Sequence, residues 1–136
     1  GGPDSKLFIN VREKESLCYY VYSSVEKYKG ILFVSSGIEA ENYEKTVKLI
    51  NEQLEKLKNG DISEQELQNS KSALISSMRT ISDSIGGRSD FYFAQAMGKT
   101  NSTIDSIIDK LSKVSIEDIV EVVKDIKLDT VYFLSK

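Results

Sequence analysis

Apolar residues run along this chain in two rhythms, one at helical spacing and one in strand-like runs, and the switches between them mark its elements. Leu7, Phe8 and Val11 share one side of a helix expected over residues 5–16. The aromatic and β-branched run from Cys18 to Tyr22 has no breaker and predicts a strand over residues 18–24. Arg12 then falls near the end of a helix and Tyr19 at the start of the strand that leaves it. Such a corner can aim a guanidinium and a phenol at one point in front of a sheet. Residues 25–29 read as a hairpin loop, and Gly30 opens a second strand over residues 31–36. That strand is apolar on both faces, so it is expected to be covered on both sides or to lie mid-sheet. Gly37 ends it, and Leu128 to Leu134 predicts a third strand near the other end of the chain.

Between these strands the rhythm is helical. Tyr43, Val47, Ile50, Leu54 and Leu57 form one stripe. Glu39 and Glu41 supply acid to its first turn, Lys56 and Lys58 supply base to its last, and Gly60 stands where a left-handed cap belongs. Ser63 and Glu66 make a capping box, stapled by Ile62 and Leu67, that starts a second helix. Leu67, Leu74, Met78, Ile81 and Ile85 run down that helix until Gly86-Gly87 breaks it. Residues 89–97 are apolar nearly all round, which predicts deep burial or a partner-facing surface. Thr103 or Ser102 caps a short helix with Ile104, Ile107, Ile108 and Leu111 inward. Ser115 and Asp118 begin a last one with Ile119, Val120, Val123 and Ile126. The expectation is an α+β fold of about three largely antiparallel strands packed against five to six helices. Three strands are few for so many helices. The sheet is therefore expected to be completed by sequence outside this chain or by another chain, since an exposed apolar edge invites pairing.

Composition narrows the function. At 136 residues, 40% hydrophobic and 29% charged, the chain suits one globular domain or part of one. A net charge of −3 argues against a general nucleic-acid binder. No apolar run reaches membrane-spanning length and no signal peptide is evident, so no membrane partner is expected. The single cysteine, Cys18, favours a reducing, cytoplasmic location. There is no histidine, so neither a histidine-based zinc site nor a Ser-His or Cys-His nucleophile pair fits in this chain alone. The sequence opens Gly1-Gly2-Pro3-Asp4 without methionine, and the expectation is a fragment of a longer protein.

Several phrases, in order along nearly the whole chain, resemble the insulinase-like (M16, pitrilysin or mitochondrial processing peptidase type) zinc metallopeptidase family. Gly1-Gly2 followed by Ser5-Lys6-Leu7-Phe8 is similar to its glycine loop and following helix. Val11-Arg12-Glu13-Lys14 with Leu17 and Tyr19 resembles a second phrase, though Cys18 stands where the family usually has glycine. Gly60, Ile62, Glu66-Leu67 and Lys71 resemble a third, and Val114-Ser115 with Glu117-Asp118-Ile119 a fourth. The resemblance implies an incomplete domain of the LuxS/MPP-like metallohydrolase fold, with residues 1–136 forming the second half of one C-terminal, non-zinc domain. It implies that zinc is held by an inverted HxxEH motif in a partner domain or subunit, and that this chain binds no cofactor. It also assigns Arg12 and Tyr19 to the peptide backbone and the tetrahedral intermediate, as donors facing a closed chamber. Removing such a donor costs on the order of 10²–10³ in turnover. Expected partners are the zinc-bearing domain or subunit, a peptide substrate that adds along a strand edge, and a second copy through the exposed sheet edge.

Plainer readings stand beside these. Arg12 could form a surface ion pair with Glu13, Glu15 or Glu26, and Tyr19 could be sheet packing. Tyr20 and Tyr22 read as core or inter-sheet packing and Cys18 as a small buried residue. Gly86-Gly87-Arg88 lacks the strand–loop–helix setting of a phosphate loop and reads as a helix break. At the level of the whole protein, the alternatives are a non-catalytic structural or assembly subunit of the same fold, as in the core subunits of respiratory complexes, or an unrelated module that binds through its sheet edge.

Overall fold

A computed structural model describes residues 5–135. The glycine loop expected at Gly1-Gly2 lies outside them. Two compact units share the chain. One draws on both ends of the described sequence, and the other is the stretch Glu64–Ser115.

The first unit begins with a π-helix, Phe8–Glu13, where the spacing predicts an α-helix. Its wide turn closes with the Lys14 N–H donating to the Ile9 carbonyl at 3.0 Å. Ser16 then adopts φ 50°, a left-handed conformation that turns the backbone sharply into the strand. β1 (Cys18–Glu26) and β2 (Ile31–Ile38) pair antiparallel around a turn that ends on Gly30, at φ +64°. Glycine takes that conformation without steric cost.

The hairpin's register slips once. Cys18 lies opposite Ile38 and Tyr20 opposite Gly37, so Tyr19 is an extra residue with no partner across the ladder. This β-bulge resets the alternation of the strand. Cys18 and Val21 are three apart, yet both are buried, and with Val11 they form the core of this unit. Leu7, Val34, Ile38, Leu49 and Ile50 pack around them. Without the bulge Cys18 would share the face of Tyr20 and Tyr22. Gly37 does not end β2. The ring of Tyr20, its cross-strand partner, lies where a Cβ at Gly37 would sit and covers the glycine, so the ladder runs on to Ile38.

The fold is α+β, but the strand count is two rather than three among the described residues. Leu128 to Leu134 has a strand's composition but forms no ladder. A strand exists by pairing, and neither β1 nor β2 takes this segment as a neighbour. Its Phe133 instead stacks on Tyr43, with ring centroids 4.4 Å apart. β2 is covered only in part: Val34 and Ile38 pack on the core, while Ile31, Leu32 and Phe33 remain 49%, 39% and 52% exposed. Tyr20 and Tyr22, expected in packing, are about half exposed and stack on each other with centroids 6.1 Å apart.

A short 3-10 turn (Ala40–Asn42) leads into α1 (Tyr43–Lys58). Gly60, at φ +72°, closes α1 as predicted. The Asp61 N–H donates to the Lys56 carbonyl at 2.9 Å and the Gly60 N–H to the Leu57 carbonyl at 3.1 Å, a Schellman motif. The deepest positions on α1 are polar. Thr46 and Gln53 are buried, whereas Val47, Ile50, Leu54 and Leu57 are half-buried. Gln53 is satisfied by the Asn10 amide, which donates to it at 2.7 Å. α5 (Ile116–Val123) packs on α1, and its Val123 is buried.

The second unit holds α2 (Glu64–Asp83), α3 (Ile85–Met97) and α4 (Ile104–Lys113). The break expected at Gly86-Gly87 falls at Ser84, whose hydroxyl accepts the Gly87 N–H at 3.1 Å and caps α3. The glycines form the first turn of α3. A Cβ on Gly87 would come within 3.2 Å of the Ile81 carbonyl oxygen, so the tight α2–α3 corner favours glycine there. Thr103 caps α4 by accepting the Ser106 N–H at 3.1 Å, as the pattern predicts. The apolar residues of 89–97 are not deeply buried, since Phe93 and Met97 are 67% and 68% exposed.

Candidate functional site

Arg12 stands in the last turn of the π-helix with its side chain exposed. Its guanidinium lies over the Phe8 ring, 4.7 Å from the centroid, a cation–π contact across one turn. Among the described residues no carboxylate pairs with it. Glu15, one of the three partners the plain reading offers, instead pairs with Lys45 at 2.7 Å. A stacked guanidinium keeps its in-plane donors free for a carbonyl or carboxylate.

Tyr19 follows seven positions later, past the left-handed Ser16 and the buried Leu17 and Cys18. The bulge leaves it 68% exposed. Its hydroxyl donates to the Glu39 carboxylate. Glu39 sits just beyond the end of β2, in extended conformation, and its carbonyl accepts the Asn42 N–H at 3.0 Å. Glu39 holds the Tyr19 phenol above its ordinary pKa, first through this hydrogen bond, then through its negative charge, with some desolvation added. Cys18, in place of a glycine, has no left-handed backbone to strain it, and its side chain fills the core beneath the bulge.

The structure thus brings Tyr19 to Glu39 and Arg12 to Phe8, on consecutive elements that pack together. The sequence pattern puts Glu39 in a helix's first turn; in the structure it lies just past β2, where its carboxylate accepts the Tyr19 hydroxyl. The bulge puts Cys18 opposite Ile38, so Glu39 falls one residue beyond the ladder, and no local pattern in the sequence marks its contact with Tyr19. Among the described residues no group of three or more histidine, cysteine, aspartate or glutamate side chains could hold a metal ion. No described helix is long and apolar enough to cross a membrane.

Comparison with known proteins places this architecture. Residues 1–74 match the family model described as the peptidase M16 inactive domain. The chain is 42% identical over 134 residues to a Bacillus subtilis (strain 168) protein named "Probable inactive metalloprotease YmfF", covering 98% of this chain and 32% of that protein. It is 32% identical over 121 residues to the "Uncharacterized zinc protease YmxG" of the same organism, covering 86% and 29%. A crystal structure of a conserved protein from Enterococcus faecalis V583 superposes with a TM-score of 0.84 at 35% identity, over 91% of this chain and 29% of that one. A protease from Helicobacter pylori shares the fold with a TM-score of 0.75 at 20% identity, over 92% and 31%. The chain belongs to the peptidase M16 family and carries its C-terminal type of domain. It spans about a third of the length of the curated relatives it matches.

Proposed function

We propose that this chain is the substrate-chamber half of an M16-type peptidase, a fragment of a longer protein and the second half of one C-terminal-type domain. Zinc does not fit the residues here, for want of histidine and of any described ligand cluster, and belongs to a partner domain or subunit. What this chain contributes is donors. Arg12 offers a fixed positive charge to a peptide carbonyl, and Tyr19 offers a neutral hydroxyl to the oxyanion that develops on it. The observation that carries this reading is Tyr19 itself: an unpaired residue on a bulge, exposed, with its hydroxyl proton held on a charged acceptor. An aromatic serving only the sheet would lie in register against a neighbour. The bare strands β1 and β2 offer edges and faces to the rest of the parent protein, to an extended peptide, or to a second copy. The single buried thiol suits a cytoplasmic setting.

The test mixes the full-length parent with its zinc-bearing partner and follows peptide cleavage and assembly together. Arg12→Ala and Tyr19→Phe should each lower turnover about tenfold or more while the assembly elutes unchanged. Unchanged rates remove the donor role. A second reading, a non-catalytic structural or assembly subunit, draws support from the word "inactive" in the YmfF name and in the family description. It predicts an intact assembly that cleaves nothing, whichever residue occupies position 12 or 19.

A further inference from the structure

Building on that donor reading, we infer that Glu39 is the positioning residue for the Tyr19 phenol. A residue in register on a strand has a cross-strand neighbour to limit its rotamers. Tyr19 has none, because the bulge leaves it outside the ladder. An exposed tyrosine so placed would sweep through several rotamers, and a donor that wanders loses the preorganisation on which oxyanion stabilisation depends. Glu39 removes that freedom. It is anchored on two sides, by the end of β2 and by its carbonyl's bond to the Asn42 N–H at 3.0 Å. Its carboxylate accepts the hydrogen bond of the phenol's single O–H and fixes the ring's direction. The phenolic oxygen stays where it is when a substrate oxygen arrives. Only the O–H bond turns, handing its hydrogen bond from Glu39 to the substrate.

Two measurements on the full-length parent decide this. The first needs no activity. With tyrosine ring-carbon labels, and the Tyr19 signal identified by its loss in Tyr19→Phe, the phenol is titrated by NMR. In the native protein Tyr19 should keep its proton above pH about 10, where an unperturbed phenol ionises. The hydrogen bond's contribution is complete below that pH and is lost as pH rises through the elevated value. In Glu39→Ala the titration should fall back toward about 10. An identical titration in both proteins overturns the contact and the proposal. The second measurement is peptide cleavage with the zinc-bearing partner. Glu39→Ala should lower kcat roughly fivefold with KM little changed, Glu39→Gln should recover most of the loss, and Glu39→Ala should add nothing in the Tyr19→Phe background. An equal loss in both backgrounds shows Glu39 acting on something other than Tyr19. No loss in either shows it positions nothing. If Tyr19→Phe costs activity and Glu39→Ala does not, the positioning role alone falls. If Tyr19→Phe itself costs nothing, the donor reading falls and takes the positioning role with it.

Discussion

Thr46 is 2% exposed on α1, and its hydroxyl has no hydrogen-bond partner among the described residues. Leaving a buried hydroxyl unpaired costs about 1–3 kcal/mol, whereas an apolar group of the same shape costs nothing comparable. Thr46→Val keeps the branched outline and removes the oxygen. It should raise the urea unfolding free energy by about 1 kcal/mol, and a loss of stability would mean that the hydroxyl has a partner in solution. The contrast with Gln53, buried on the same helix but bonded to Asn10, shows that polarity at depth is tolerated when a partner is built in. At this scale the candidates Arg12 and Tyr19 are visible in the sequence only through a family phrase. The Tyr19–Glu39 contact is not visible there, because it depends on a ladder register that the run from Cys18 to Tyr22 does not encode. Alternation would have fixed the register, and that run is apolar or aromatic at every step.

Elements whose ends are written in local chemistry were read correctly. The left-handed glycine after α1 and the threonine cap of α4 act through bonds spanning a few residues, so no distant part of the chain can override them. Gly60 gives the cleaner test. A Cβ there would meet only the Val120 methyl at 3.6 Å, ordinary contact, so the penalty of Gly60→Ala comes from φ +72° and not from crowding. The variant should lose about 1 kcal/mol, seen as a lower denaturation midpoint with an unchanged slope. A neutral result would mean that the Schellman motif frays in solution. Elements that depend on a neighbour were read less well. The third strand has the right residues and no ladder, and the π-helix replaces an α-helix with the same apolar side, since both geometries bury Val11. Ser84 rather than the glycine pair ends α2, because capping α3 gives the orphan Gly87 N–H a partner that a glycine side could not supply.

For the whole molecule, the weightiest fact is how much apolar surface stays in water. Tyr20, Tyr22, Val25, Tyr28, Ile31 and Phe33 on the hairpin are each 47% exposed or more. A two-stranded hairpin in water is marginal by itself, and this one is held by one buried face only. Tyr20, Tyr22, Ile31 and Phe33 share one face of the ladder, and an exposed apolar face is a candidate for cover by a partner. The chain's share of its relatives, about a third of their length, is consistent with cover supplied by the remainder of such a protein. The 136-residue chain by itself should therefore bind a hydrophobic dye and self-associate as concentration rises. Phe33→Ser with Tyr22→Ser should weaken both behaviours, because the change removes apolar area without touching Val11, Cys18 or Val21 in the core. If the chain is part of the longer protein proposed above, the amides of β1 and β2 should exchange more slowly there than in the isolated chain, since covering the hairpin raises the cost of opening it. A chain that stays monomeric and dye-silent, with hairpin amides exchanging at the same rate in both contexts, would show that these faces are content in solvent and that the sheet ends with its second strand.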